Sequence, residues 1–470
     1  MDVPTALKQI AAIVGPSGIV AQAAAAGWLV DERQLYRGAA ALIVRPASVD
    51  ECAQVIRTCC DAGIGVVPQG GNTGYCGGAT PFDGEREILL SMARLNRVRE
   101  IDAVGFTMTA EAGVVLANVQ AAAREHELSF PLSMGSEGSC QLGGVLSTNA
   151  GGLAVLRYGT ARDLVLGIEV VLPNGDVLSE LKGLRKDNTG YDLKALFLGA
   201  EGTLGVITAA VLKLFPEPRV RQTAWLAVAS VDAACRLLGR ARRESGDQVV
   251  SAEYVSRRSL DLVLKHVEGA RDPLDTAHPH YVLLELASAD QDAVLRDKLE
   301  RVLVSALDEG EVEGGVIAES GQQRAALWLL RERVPEAERR AGGCVKHDVS
   351  VRISNLPRFI ERAELALEKI APHRLSIFGH IGDGNLHFNL LPPAGRSIDE
   401  FRAGPAAALS SCVHDLAAEL GGSFSAEHGV GILKVSELER YQSPEALALM
   451  RTLKHALDPK GIMNPGKVLR

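Results

Sequence analysis

Three glycine-rich segments in the first half of the chain limit what it can fold into more than any other feature. The first, Pro68-Gln-Gly-Gly-Asn-Thr-Gly-Tyr-Cys-Gly-Gly78, follows directly on the apolar run Ile64-Gly-Val-Val67, which reads as a strand. The second runs Gly135-Ser-Glu-Gly-Ser-Cys-Gln-Leu-Gly-Gly-Val-Leu-Ser-Thr-Asn-Ala-Gly-Gly152, and the third is Gly199-Ala-Glu-Gly-Thr-Leu-Gly-Val-Ile-Thr208, read as following an apolar strand. Glycine lets backbone N–H groups turn toward an anion without a side chain in the way, and Asn72 and Thr73 add polar groups at the rim. One such loop is equally well an ordinary connection. Three in one region imply a long polyphosphate ligand. None ends in Gly-Lys-Ser/Thr, and the Gly-x-Gly-x-x-Gly spacing of a nucleotide-binding βαβ unit is absent after the first strand, which disfavours an ATP or nicotinamide fold.

With 470 residues the chain exceeds the size at which one core stops growing, so at least two packed domains are expected. A net charge of -8 argues against a nucleic-acid surface, which needs an excess of Lys and Arg. The opening Met1-Asp-Val-Pro-Thr-Ala-Leu-Lys8 has neither the order of a signal peptide nor the Arg-rich character of a transit peptide, and no apolar run is long enough to span a bilayer. The eight cysteines are scattered without a two-residue-spaced pair, and read as reduced, mostly buried thiols. These features point to the cytoplasm.

The Ala-rich start reads as helices up to about Leu42, and then Ala41-Leu-Ile-Val-Arg-Pro46 reads as a short buried strand that stops at the proline. Ser48 is placed to cap a helix over Val49–Ala62. Strands broken by turns are expected between Leu89 and Gly113, a helix over Val115–Glu127, and a hairpin after Gly167 whose turn is supplied by Asn174-Gly175. Pro216-Glu-Pro218 marks a domain boundary. Beyond it, strands such as Tyr281–Ala287 alternate with helices such as Asp290–Leu307, which predicts an α+β class with an antiparallel sheet in the second domain. The expected units are 1–218, 219–424 and a closing segment 425–470.

A second chemical centre is Phe378-Gly-His-Ile-Gly-Asp-Gly-Asn-Leu-His-Phe-Asn389, followed later by Ser425-Ala-Glu-His-Gly-Val-Gly431. His380 and His387 flank a Gly-Asp-Gly-Asn turn that brings both imidazoles to one site. Two histidines and a carboxylate such as Glu427 suit Zn²⁺ with one coordination position left for substrate, where the ion lowers the pKa of a bound hydroxyl. A lone histidine more often just hydrogen-bonds the loop around it. The clustering of three of the eleven histidines beside an acid favours metal binding or catalysis.

The glycine loops, with Asn188-Thr-Gly-Tyr-Asp-Leu193 and the closing Asp458-Pro-Lys-Gly-Ile-Met-Asn-Pro-Gly-Lys467, resemble the FAD-linked oxidases of the vanillyl-alcohol-oxidase type over nearly the whole chain. The resemblance implies a two-subdomain FAD-binding domain over 1–218, a central cap domain for substrate over 219–424, and a C-terminal segment, 425–470, that returns to the FAD domain. It implies FAD contacts at Gly70, Gly71, Asn72, Thr73, Gly74, Gly138, Ser139, Gly143, Gly144, Thr148, Asn149, Glu201, Gly205, Ile207 and Asn464. No histidine lies in Gln69–Gly74, so non-covalent FAD is expected.

The histidine loops resemble those of the D-2-hydroxyglutarate dehydrogenases. That likeness implies His380, His387 and Glu427 as ligands of a divalent metal, zinc by preference, with His428 as general base and as a substrate contact, and Asn389 as a hydrogen-bonding partner of the substrate's first carboxylate or hydroxyl. It also implies that Arg331 and Lys346 hold the distal carboxylate, through a planar fork and a compact charge. Where a hydroxyl-bearing residue is expected four positions after the arginine, this chain has Pro335. The expected acceptor of electrons is an electron-transferring flavoprotein or a quinone, and a homodimer is compatible with the family. A D-lactate or glycolate dehydrogenase would not require both Arg331 and Lys346. A metal-dependent hydrolase would use the same histidines but leave the glycine loops unexplained, and a non-catalytic flavin-binding module would leave the histidines unexplained.

Overall fold

The computed structural model describes residues 1–470 as two compact bodies. The first takes in Met1–Gly152, Tyr158–Glu217 and Glu427–Arg470; the second takes in Leu153–Arg157 and Pro218–Ala426.

In the first body a small parallel sheet, ordered Leu42–Val44, Glu87–Ser91, Gly65–Gln69, carries the first glycine loop at its end. The helices Val3–Val14 and Val49–Ala62 bury Ile10, Val14, Val55 and Ile56 against it. Ser48 caps the second of these helices as expected, its side chain accepting from the Glu51 N–H at 3.1 Å. A second sheet of five antiparallel strands is ordered Val98–Asp102, Thr107–Glu111, Val206–Lys213, Val165–Val171, Val177–Glu180.

Four local expectations are corrected. Helix does not continue to Leu42: beyond Val14 there are only short 3₁₀ turns, because Gly15-Pro16 removes both the helical φ and an amide donor. The hairpin forms, but only Gly175 takes a positive φ, 82°; the preceding Pro173 fits the start of a type I turn, in which the Gly175 N–H donates to the Leu172 carbonyl at 2.9 Å. The third glycine loop follows a short helix, Lys194–Phe197, rather than a strand, and part of the second loop is itself the helix Leu142–Ser147. The helix expected from Asp290 begins only at Leu295, after turns at Asp290 and Asp292.

The second body is a seven-stranded antiparallel sheet ordered Val312–Ile317, Val220–Val228, His280–Ser288, Val249–Ser256, Arg374–His380, Asn385–Leu391, Asp348–Ser350. Both faces are covered. Helices Val231–Ser245, Leu295–Asp308, Leu356–Leu367 and Ala406–Glu419 pack on one face, over Tyr254, Leu284 and Phe388. Helices Arg257–His266, Gly321–Glu332 and Val334–Arg340 pack on the other, over Trp225, Leu283 and Phe378. Double coverage explains why Val249–Ser256 is buried at every position, in place of the alternation of a sheet open on one side.

The hairpin that carries the histidines turns at Ile381–Gly384. Gly384 has φ 81°, and a Cβ there would lie 2.0 Å from the Val351 carbonyl oxygen, so no other residue fits without displacing the neighbouring strand. Gly384→Ala is expected to destabilise the second body by about 1–3 kcal/mol, seen as a lower denaturant midpoint in circular dichroism. An unchanged midpoint would contradict this reading of the turn.

Candidate active site

On the first body the glycine segments converge. A Cβ on Gly71 would come within 2.1 Å of the Ser139 carbonyl oxygen, and one on Gly70 would meet the Gly144 backbone at 3.4 Å, so the first two segments lie backbone to backbone. Asn72, at φ 56°, is held from behind: its Nδ2 donates to the Val30 carbonyl at 2.8 Å, while Gln69 Nε2 donates to the carbonyls of Trp28 and Ala79. The third segment joins through the Glu201 N–H, which donates to the Ser147 carbonyl at 2.8 Å. The Glu201 carboxylate accepts from the amides of Val430 and Gly431 at 2.7 and 2.8 Å. Burial pushes this carboxyl above its ordinary range, against the pull of the two amides and Lys434. Asn464 ties the closing segment to the same place, donating from Nδ2 to the carbonyls of Gly78 and Glu201 at 2.9 and 2.8 Å.

The residues expected to contact a cofactor divide into two groups. Gly74, Gly138 and Ser139 are exposed along the rim, and nothing lies within 4 Å of where a Cβ on Gly74 or Gly138 would point. Gly70, Gly71, Asn72, Thr73 and Gly144 lie beside them, half-buried or buried. The remaining predicted residues also have contacts within this body. Gly143 donates its N–H to the Ala112 carbonyl and packs on that residue, and Gly205 packs against Val170. Thr148 returns its hydroxyl to the Gly144 carbonyl, and Asn149 Oδ1 accepts from Thr160 Oγ1 and the Arg162 N–H. Ile207 is buried in the apolar core. Sequence reasoning missed Gln141, whose buried Oε1 has no partner within the protein beside Gly70; the Oδ1 of Asn464 is in the same situation. A glycine-rich rim flanked by unpartnered buried amide oxygens fits a long polar ligand lying across the loops.

His428, on the closing segment of this body, has its ring edge-on to Tyr75 of the first glycine loop, with centroids 4.9 Å apart. Glu427 is one peptide bond past Ala426, whose N–H donates to the Asp348 carbonyl of the second body at 3.1 Å.

On the second body, His380 and His387 stand on adjacent strands of the hairpin Arg374–His380 and Asn385–Leu391, where Phe378 pairs with His387 and His380 with Asn385. This diagonal places both imidazoles on the face that carries Phe378, with ring centroids 5.6 Å apart. The sequence had not pointed to Glu253, on the neighbouring strand in register with His380. Its carboxylate is 1% exposed and accepts from His380 Nδ1 at 2.8 Å, Arg331 Nε at 2.7 Å and Ser251 Oγ at 3.1 Å. Burial alone would raise its pKa, but His380 and Arg331 outweigh burial and hold it down at about 2. The signal was present: an acid at a core position of a uniformly buried strand survives only when paired.

Two of the residues expected to hold substrate, Arg331 and Asn389, have partners within the protein. Arg331 is 5% exposed, spends its Nε on Glu253, and lays its guanidinium over the Phe378 ring at 4.8 Å. Asn389 is committed internally, donating from Nδ2 to both oxygens of Glu338 at 2.9 and 3.1 Å and accepting from the His347 N–H at 3.1 Å. Glu338, another acid the sequence reading overlooked, is fully buried; burial raises its pKa, opposed by Asn389 and by the charge of Lys346. Pro335 occupies the first turn of the helix Val334–Arg340, where no amide donor is needed.

A glycine-lined cradle on one body and a histidine–carboxylate face on the other define a flavin-dependent oxidoreductase of the FAD-linked oxidase class. The description "FAD binding domain" matches residues 40–179, and "FAD linked oxidases, C-terminal domain" matches residues 217–468. The chain is 41% identical to the mitochondrial D-2-hydroxyglutarate dehydrogenase of Bos taurus over 94% of its own length and 79% of the relative's. It is 40% identical to the D-2-hydroxyglutarate dehydrogenase of Xanthomonas citri, covering 91% and 88%. Among solved structures, p-cresol methylhydroxylase with substrate bound superposes with a TM-score of 0.77 at 17% identity, covering 99% of this chain and 96% of that one. The chain therefore belongs to the FAD-linked oxidase family, in the group that contains these D-2-hydroxyglutarate dehydrogenases. An FAD-binding fold of this kind removes the metal-dependent hydrolase reading.

Gly71→Ala pushes a methyl group into the Ser139 carbonyl and parts the first two loops. The purified variant is expected to carry little flavin, read as the ratio of visible to ultraviolet absorbance, and wild-type flavin content would contradict the convergence described here.

Proposed function

We propose that this chain is an FAD-dependent dehydrogenase that oxidises D-2-hydroxyglutarate, or a D-2-hydroxy acid of the same class, to the 2-oxo acid. The observation that carries the proposal is identity of about two residues in five with named D-2-hydroxyglutarate dehydrogenases over almost the whole chain. The flavin would rest on Gly70–Gly74, Gly138, Ser139 and Gly144, held non-covalently, because no histidine stands in the first loop to bond it.

The metal proposal fits the donor chemistry. Two imidazoles face each other on one sheet, one of them backed by an ionised carboxylate, as metal-bound histidines commonly are. His380 and His387 would hold a divalent ion, zinc by preference, with Glu427 as the third ligand. The ion would supply polarisation of the substrate hydroxyl and the flavin an acceptor for the hydride.

His428, oriented by Tyr75, would take the hydroxyl proton. Lys346, beside the raised-pKa Glu338, would supply the main charge for the distal carboxylate, with the terminal nitrogens of Arg331 assisting. Asn389, oriented by Glu338 and the His347 backbone, would hydrogen-bond the first carboxylate or hydroxyl of the substrate. Electrons would leave to an electron-transferring flavoprotein or a quinone. No helix is long and apolar enough to cross a membrane, and eight cysteines without a disulfide among them suit a reducing compartment such as the proposed cytoplasm.

The pairing of Arg331 with Glu253 favours one second reading, a D-lactate or glycolate dehydrogenase, whose substrate has no distal carboxylate. Comparing kcat/KM for D-2-hydroxyglutarate, D-lactate and glycolate decides between them. D-2-hydroxyglutarate is expected to lead, and Lys346→Ala to raise its KM while leaving that for D-lactate nearly unchanged; D-lactate leading would install the second reading. Chelation should abolish turnover and added zinc or manganese restore it. His428→Ala should keep its flavin and lose about 10²-fold or more in kcat, and full activity would remove it as the base.

A further inference from the structure

The carboxylate of Glu253 faces two groups that the proposed function uses for different tasks, and its geometry fixes both. An ionised carboxylate only accepts hydrogen bonds and a guanidinium only donates them. Glu253 Oε1 lies 2.8 Å from Nδ1 of His380, and Arg331 Nη2 lies 3.4 Å from Nε2 of the same ring. Nδ1 therefore carries the hydrogen and Nε2 presents its lone pair. The other oxygen of Glu253 takes the Nε–H of Arg331 at 2.7 Å, which sets the direction of the guanidinium.

We propose that Glu253 is a positioning residue that selects the Nδ1–H tautomer of His380, so that Nε2 is the metal-binding atom once the 3.4 Å contact from Arg331 Nη2 gives way to the ion, and at the same time aims Arg331. The inference rests on the metal reading given under Proposed function, but the tautomer itself can be read without metal. Its consequence is coupling: one side chain links metal affinity to carboxylate recognition. Ser251, whose Oγ donates to Glu253 Oε1 at 3.1 Å, steadies the carboxylate from behind. All these groups lie within the second body, so flavin content should not follow them.

The test uses the full-length flavoprotein with ¹⁵N-labelled histidine. In the metal-free wild type, His380, assigned by comparison with His380→Gln, is expected to show a protonated Nδ1 and an unprotonated Nε2. In Glu253→Gln the single tautomer should be lost, zinc affinity by titration calorimetry should fall about 10–100-fold, and KM for D-2-hydroxyglutarate should rise, with flavin content unchanged. If Glu253→Gln does not fold, Ser251→Ala replaces it, with a smaller shift in the same direction expected. Protonation of wild-type His380 on Nε2, or wild-type tautomer and zinc affinity in the folded variant, overturns the inference. A wild type that binds no zinc but shows the Nδ1–H tautomer, lost on substitution, leaves the role of Glu253 standing and overturns the metal reading instead.

Discussion

A negative charge buried in a sheet covered on both faces is the constraint around which the second body is organised. Taking a carboxylate out of water is costly unless its oxygens are paired, and truncating one partner of such a pair typically destabilises by about 3–5 kcal/mol. Glu253 meets this demand with His380, Arg331 and Ser251. On the same sheet face, Glu285 meets it with Arg221, Arg324, Thr223 and Trp328. Three of these partners, Arg324, Trp328 and Arg331, come from the single helix Gly321–Glu332, so the two acids dock that helix and fix its rotation. Residues that chemistry requires are thus held by interactions the fold cannot lose.

The first body solves a different problem. A cradle for a long polar ligand must leave amides uncovered, and uncovered loops lack the packing that holds them still. The chain compensates from behind, with Gln69, Asn72, Glu201 and Asn464 supplying side-chain hydrogen bonds to neighbouring backbone, and with the C-terminal segment returning to join the loops. Lys454 adds to the same knot, donating to the carbonyls of Thr203 and Met463. Because Glu201 binds the amides of Val430 and Gly431, just past His428, the order of the cradle and the placement of the proposed base share one support.

Much of this was legible in the sequence where local physics decides structure. The Ser48-capped helix, the hairpins and the antiparallel second domain follow from caps, turn residues and apolar runs. The histidine pair followed from one tight turn between two short strands. What the sequence left hidden depends on pairing across long separations. Glu253 and His380 are neighbours only because distant strands lie side by side, and no local pattern announces that. The same holds for the pairing of Asn389 with Glu338, 51 residues apart in the chain. Motif likeness assigned Thr148, Asn149 and Ile207 to the cofactor, and within the protein the same residues also brace the loops or fill the core. Pro335 reads as a departure in sequence and as a normal helix start in structure.

The most direct test of the account is an anaerobic absorbance spectrum of the purified protein before and after addition of D-2-hydroxyglutarate, with the L-enantiomer in parallel. The account predicts a yellow protein whose flavin band bleaches rapidly with the D-acid and persists with the L-acid. A colourless protein, or a flavin that neither enantiomer reduces, would contradict it.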